Sequence, residues 1–356
     1  MSIGLPTLEI SFKKAAESTA ARSKRGVVAV ILRDAAAGAQ GLRTLKRASE
    51  IPTALGADNA AYVERAFLGT DLGTPSGVVL SVGAADADID ALLEPLAAYS
   101  IDYLAGPPDA DAETCAAIQA WVEEQRKQYH TVKAVLPNTA ANSMGVINFA
   151  AEGITTAEGS FTAAQYCSRI AGVLAGIPSE CSATYAALPE VTGVTGPADS
   201  AAAVDAGKLV LIHDGVKAKI ARAVNSLTTV PVNGREDWKK IKVVEAMDLI
   251  TYFGRTTIED EYIGKCANTY DNKCLLVSAL NTFHKELEAQ GVLQAGKSWA
   301  EVDAAAQEAY LHEQGVDTSG MTEQQIKEAD TGSWVFIAAG GHIVDAMEDV
   351  VLNYAM

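Results

Sequence analysis

The sequence predicts an α/β protein (α+β overall) of several domains: an α/β layered unit, a C-terminal domain that mixes a hairpin with helices, and an extended β-strand arm at each end. Three observations predict it. Helical and strand periodicities alternate from residue 88 to residue 149, as in an α/β layer with mostly parallel strands. Asp214-Gly215, a tight-turn dipeptide, joins two apolar runs and is followed by a helical pattern. Each end of the chain carries a short alternating apolar run joined to the rest by a polar segment. The chain accordingly divides into an N-terminal arm (1–20), an N-terminal part of the core (21–85), an α/β domain (86–195), a C-terminal domain (196–340) and a C-terminal arm (341–356).

Leu8, Ile10 and Phe12 alternate with Thr7, Glu9 and Ser11, a strand pattern, and the polar stretch opened by Lys13 and Lys14 reads as an extended connector. Val27 to Leu32 is an apolar strand, and Val78 to Val82 is a second one beyond a segment rich in glycine and turn residues. Asp88 to Tyr99 is helical, with Ile89, Leu92, Leu93 and Leu96 on one face, and Ile101 to Leu104 is a strand. Asp111 to His130 places Ile118, Trp121, Val122, Gln125 and Tyr129 at helical spacing. Strands at Val132 to Leu136 and Val146 to Phe149 follow, then a helix from Phe161 to about Leu174. Ala186 to Asp199, rich in Gly, Pro and Thr, leads out of this layer.

Lys208 to His213 and Val216 to Ile220 are the two strands of the hairpin. From Glu236 to about residue 252, Trp238, Ile241, Val244 (or Glu245), Asp248 and Leu249 fall at helical steps. Asp271 to Gln290 predicts a helix with Leu275, Leu276, Ala279, Phe283 and Leu287 inward; Trp299 to Glu313 and Thr322 to Ala329 predict two more. Trp334 to Ala338 and Asp349 to Tyr354 are strand candidates, the second with Val350, Leu352 and Tyr354 on one face. A lone strand cannot satisfy its own backbone, so each arm must pair with a sheet. The residues leave open whether that sheet belongs to the same chain or to another.

The 356 residues suffice for a large core, and 49% hydrophobic residues mark a globular chain. Neither a signal peptide nor a membrane span is expected, since the first twenty-five residues contain no apolar h-region and no run of eighteen apolar residues occurs. Five cysteines without a CxxC pair point to reduced thiols. The net charge is −17, but unevenly placed: the first fifty residues hold nine Lys and Arg against four Asp and Glu, the remaining 306 nineteen against forty-one. So acidic a body repels nucleic acid, and no direct contact with it is expected. A basic end on an acidic body suits head-to-tail attraction between copies, although ordinary surface charge would look the same.

One stretch carries a catalytic signature. Gly291 to Ser298 (GVLQAGKS) matches the loop that wraps nucleotide phosphates in backbone amides, which makes a nucleotide-binding enzyme using Lys297 and Ser298 the alternative reading. That chemistry needs a buried strand leading into the loop, and residues 281–290 instead read as a solvated helix. The five histidines are dispersed, with no G-x-S-x-G or H-E-x-x-H among them, and Glu259, Asp260 and Glu261 read as a solvated face. No catalytic residue, metal or cofactor is assigned.

Five stretches, in order along nearly the whole chain, resemble the tail sheath proteins of contractile phage tails and related tail-like bacteriocins, in the short form of phages of Gram-positive hosts. They are GLPTLEISFKKAA with RSKRGVVAVILRDA, AGIPSECSATYAALPEV, the hairpin and helix of 207–252, YIGKCANTYDNKCLLVSALN, and DTGSWVFIAAGGHIVDAMEDVVLNYAM. The resemblance implies a non-enzymatic subunit that polymerises as stacked, six-fold rings around an inner tail tube and contracts to drive the tube through the target envelope. It implies the tube, baseplate and tail terminator proteins as partners, no cofactor, no insertion into a membrane, and residence in a virion tail or tail-like particle assembled in the bacterial host cytoplasm. It also implies that the arms insert into the sheets of neighbouring subunits, which singles out Leu8, Ile10, Phe12, Lys13 and Lys14 at one end and Glu348, Asp349, Val350, Leu352 and Tyr354 at the other.

Overall fold

The computed structural model describes residues 26–356, so the N-terminal arm residues Leu8, Ile10, Phe12, Lys13 and Lys14 lie outside the described residues. The described chain forms two compact units: residues 26–249 together with Ala346–Met356, and Ile250–Asp345.

In chain order the strands of the first unit are β1 (Val27–Arg33), β2 (Gly41–Leu45), β3 (Gly77–Gly83), β4 (Tyr103–Ala105), β5 (Lys133–Pro137), β6 (Val146–Phe149), β7 (Glu152–Thr156) and β8 (Gly159–Phe161). They continue as β9 (Ala187–Leu188), β10 (Val191–Thr195), β11 (Lys208–Leu209), β12 (Leu211–His213) and β13 (Ala218–Ile220). The helices are α1 (Ala57–Ala66), α2 (Ile89–Leu93), α3 (Ala112–Lys127), α4 (Ala163–Gly176), α5 (Ser200–Asp205) and α6 (Ile241–Thr257), the last of which runs through the unit boundary.

Seven strands make one sheet in the order β11-β6-β5-β4-β1-β3-β2. All its pairs are parallel except β2 against β3. A parallel sheet is covered on both faces, so its central strands read as unbroken apolar runs. In β1, Val28, Val30 and Leu32 join Tyr62 and Val63 of α1 and Tyr166, Ile170 and Val173 of α4 in one core. Ala29 and Ile31 face the other way, into a core with Leu92 and Leu93 of α2 and Ile118 and Val122 of α3. Helix α4 starts from a reciprocal cap, Thr162 and Gln165 each bonding the other's backbone N–H. It then passes α1 so closely that a Cβ on Gly172 would sit 2.0 Å from the Ala66 carbonyl oxygen.

In doubly wound sheets, ligands bind at the carboxyl ends of the strands where the strand order reverses, here between β1 and β4. Side chains of α1 occupy that position: the Tyr62 hydroxyl donates to the Gly106 carbonyl at 2.7 Å, and the Asn59 amide donates to the Arg33 carbonyl at 2.9 Å.

The expected hairpin is present as β12–β13, with the Asp214 carboxylate accepting from the Val216 and Lys217 amides and Gly215 at φ +93°. Its first strand is split, because Lys208 and Leu209 pair with β6 in the large sheet and the chain leaves that sheet at Val210. Strand β9 pairs with β13, and β10, β7 and β8 form another antiparallel sheet. The segment read as turns before Val78 contains β2 and α1. The latter was hidden because Tyr62 and Val63 are the only large apolar residues in ADNAAYVERA.

The second unit holds the rest of α6, a π-helical turn at Ile258–Tyr262, α7 (Tyr270–Ala289), β14 (Trp299–Val302), α8 (Ala304–Glu313), α9 (Glu323–Glu328) and β15 (Ile337–Gly340). Phe253 stacks on Phe283 in its core. On α7 the inward residues are Lys273, Leu276, Phe283, His284 and Leu287; Leu275 is exposed, contrary to expectation. The predicted helix Trp299 to Glu313 is corrected to a strand followed by a helix. Ala300 and Val302 point inward with period two, and Asp303 then caps α8 by accepting from the Ala306 amide. The strand expected at Trp334 to Ala338 forms at Ile337–Gly340, since Trp334 and Phe336 cluster with Tyr310 instead. Residues 349–354 join no strand in the described chain. Among the described residues no helix is long and apolar enough to cross a membrane.

Candidate functional site

The phosphate-loop reading of Gly291 to Ser298 fails on both flanks. A helix, α7, precedes the loop, and a strand, β14, follows it, so no helix N-terminus faces the space where phosphates would lie. Gly291 at φ +75° ends α7. The loop does cradle an anion, but that anion belongs to the chain. The Ser298 hydroxyl and amide both donate to the Glu288 carboxylate, at 2.6 and 3.2 Å. The Ser298 hydroxyl and the loop amides hold that carboxyl below the usual glutamate range. A carboxylate in this place repels a phosphate. Elsewhere among the described residues, no group of three or more His, Cys, Asp or Glu is placed to hold a metal.

The C-terminal arm is the site that the sequence singled out and the structure describes. Its last residues are apolar and bare: Val350, Leu352 and Tyr354 are 78%, 81% and 82% exposed. Two residues earlier the arm is held fast. The Glu348 side chain is 4% exposed and accepts from the Ser182 hydroxyl at 2.8 Å, the Thr184 hydroxyl at 2.6 Å and the Arg222 Nε at 3.0 Å, with the Lys240 Nζ at 3.4 Å. Arg222 also pairs with Asp349. Burial would raise the Glu348 carboxyl; the hydroxyl and guanidinium donors and the Lys240 charge outweigh it and hold the group below its ordinary value. Glu348 and Asp349 therefore belong to a root on their own chain, whereas Val350, Leu352 and Tyr354 touch nothing that would satisfy a strand.

The described start of the chain has a comparable root. The buried Asp102 carboxylate accepts from the Gly26 and Val27 amides at 2.9 and 3.0 Å, which holds the first described residues on the first unit.

A network of buried charges lies under α6. Asp248, 3% exposed, accepts from Arg126 Nη2 at 2.7 Å, Arg126 Nη1 at 3.0 Å and Lys133 Nζ at 2.8 Å, while Glu245 pairs with Lys133 at 2.9 Å and accepts from the Tyr103 hydroxyl. Burial would raise the Asp248 carboxyl, but Lys133 and Arg126 pull it below the usual range. Burial and the facing Glu245 push the Tyr103 hydroxyl well up. This network ties α6 to α3, β4 and β5, each of its carboxylates being paired with a cation of the chain. The sequence signal for it was an acidic residue, Asp248, on the apolar face of a predicted helix.

Comparison with known proteins follows the same lines. Residues 234–356 match the phage tail sheath C-terminal domain family. The chain is 36% identical over 360 residues to the tail sheath protein of Clostridium phage phiCD119, covering 99% of each. Its fold is similar to the sheath tail protein from Listeria innocua (TM-score 0.69, 15% identity, 95% of this chain and 99% of that one). It is also similar to the helical sheath of the anti-feeding prophage in its contracted state (TM-score 0.66, 14% identity, 93% of each). At these identities the solved structures speak for the fold alone.

Proposed function

The chain belongs to the tail sheath protein family, a structural protein and not an enzyme, and from that premise we propose that its copies polymerise through their arms into a contractile helical sheath. The carrying observation is the bare apolar end, Val350 to Met356, beside a body in which the strands among the described residues are all paired. An extended segment of this kind completes itself by adding to a sheet edge on another copy.

The most suitable edge is β15. A two-stranded sheet is marginal alone, and β14–β15 is such a sheet. The far edge of β14 is blocked, because the Asn281 side chain bonds both the amide and the carbonyl of Ala300, at 2.8 and 2.9 Å. The far edge of β15 has no strand beside it among the described residues. An arm strand makes about four to six ladder hydrogen bonds of about 1 kcal/mol net each, weak singly and durable when repeated through a lattice. Contacts that run head to tail without closing build a helix, which is the symmetry of a tube. The basic N-terminal fifty residues on an acidic body favour the same order of stacking.

On this reading the rings are six-fold and enclose an inner tail tube, with baseplate and tail terminator proteins at the two ends. The particle assembles in the bacterial host cytoplasm and contracts to drive the tube through an envelope, energy coming from better subunit contacts in the contracted lattice. Leu8, Ile10 and Phe12 act as the N-terminal counterpart of the C-terminal strand, with Lys13 and Lys14 beside them.

Negative-stain electron microscopy over a concentration series, on the full chain and on a chain ending at Asp349, tests this. Tubes from the full chain only, with a folded and monodisperse truncated chain, are expected. Tubes from both, or an unfolded truncated chain, return the arm to an intramolecular role.

A further inference from the structure

We propose that Glu348 is a clasp that divides the C-terminal arm into a part rooted on its own subunit, ending at Asp349, and an exchangeable strand of Val350–Met356. The inference rests on the arm exchange proposed above and adds where the exchanged strand begins and what positions it.

Three separate segments converge on this one carboxylate. Ser182 and Thr184 come from the loop before β9, Arg222 follows β13, and Lys240 precedes α6. The loop is itself braced, since the Thr184 hydroxyl also accepts from the Ala223 amide at 3.0 Å. A solvated tail needs no such receptor. Met347 on one side is 95% exposed and Val350 on the other 78%, so the Glu348 side chain turns inward between two outward neighbours. Arg222 bridges Glu348 and Asp349, which sets the last fixed position at Asp349.

Rooting matters because of reach and local concentration. Seven extended residues span about 23 Å at ~3.3 Å each. If the clasp opens, the tether lengthens and the strand searches a larger volume in more orientations. The effective concentration of the strand at a neighbouring edge then falls, and more chain must be ordered on pairing. Glu348 is thus a positioning residue: it does not touch the neighbour, and it fixes where and in which direction the strand leaves.

Backbone ¹⁵N relaxation of the monomeric full chain, with Glu348→Ala and Arg222→Met, tests the clasp directly. In the wild type the order parameters are expected to stay near the rigid value of about 0.85 through Asp349 and to fall below about 0.6 from Val350 onward. In both variants the fall should move back to Glu348 or earlier with the rest of the chain unchanged, and the concentration needed for tubes should rise on the order of tenfold. A wild-type fall before Glu348 overturns the clasp, as does an unmoved boundary in Arg222→Met should Glu348→Ala not fold. Variants that form tubes at the wild-type concentration, while the chain ending at Asp349 forms none, overturn the clasp and leave arm exchange standing. Tubes from the chain ending at Asp349 overturn arm exchange itself.

Discussion

β1 (VVAVILR) and the last seven residues (VVLNYAM) are both short β-branched apolar runs, and they meet opposite fates. Val28 to Leu32 are fully buried, with a parallel strand on each side and helices over both faces. Val350 to Tyr354 stand in solvent with no strand beside them. Apolar composition states that a strand must be covered; it does not state by which chain. Among the described residues the strands of the first unit find their partners within one chain and the last seven residues do not, an arrangement that suits the proposed lattice subunit: folding first, then assembly through what folding left over.

The contrast is sharpened by substitutions that ought to strike one side of it only. The largest loss of folding stability is expected from Asp248→Ala, which removes the counter-charge shared by the buried Lys133 and the half-buried Arg126 and leaves Glu245 alone against the two cations. A loss of about 3–5 kcal/mol should appear as a lowered urea midpoint. Gly172→Val comes next, since a Cβ meets the Ala66 carbonyl oxygen, and about 1–3 kcal/mol is expected in the same measurement.

Acid should act on both regions. Asp248 and Glu348 titrate below their ordinary values of 3.8 and 4.5 when folded. The stability they contribute is therefore full above those values and is lost as pH falls through the depressed folded ones. Below pH 4.5 the arm root should loosen in the wild type, read as faster cleavage before Asp349 by an acid protease. Glu348→Gln should show no such step.

Leu352→Asp should change monomer stability by less than about 0.5 kcal/mol, because the side chain is already in water, and yet prevent tubes. A large loss of monomer stability would erase the distinction between body and arm. The smallest effect is expected from Lys297→Ala, whose loop holds Glu288 and no phosphate; neither melting temperature nor tube formation should move, and magnesium nucleotide should shift neither.

Strong periodicity was legible wherever one face alone decided the element: β1, β3, the helix at 112–127, the helix at 163–176 and the hairpin turn at Asp214 were all readable from spacing. The failures are local signals overruled by packing. ADNAAYVERA carries too few apolar residues to announce a helix, and it becomes one because Tyr62 and Val63 find the sheet. Trp299 to Val302 run on into an alanine-rich helix and read as part of it, but pairing with Ile337–Gly340 makes them a strand. Of the candidate site, the bare strand was legible as alternation, whereas the root was not. Ser182, Thr184, Arg222 and Lys240 are scattered over 59 positions of sequence and converge only when folded.

By itself, then, the sequence determined which runs are strands or helices with a face to bury, the acidic body with its basic beginning, and an apolar end that needs a partner. These depend on neighbours within one or two turns of chain, and spacing records them. The tertiary structure alone decided that Glu288 fills the loop that looked made for phosphate, that Asp248 is a buried counter-ion, and that Glu348 is held on its own chain while the residues from Val350 onward stand in solvent. Those outcomes depend on charges and carbonyls brought together from distant segments, where the cost of leaving one unpaired, and not the local pattern, selects the arrangement.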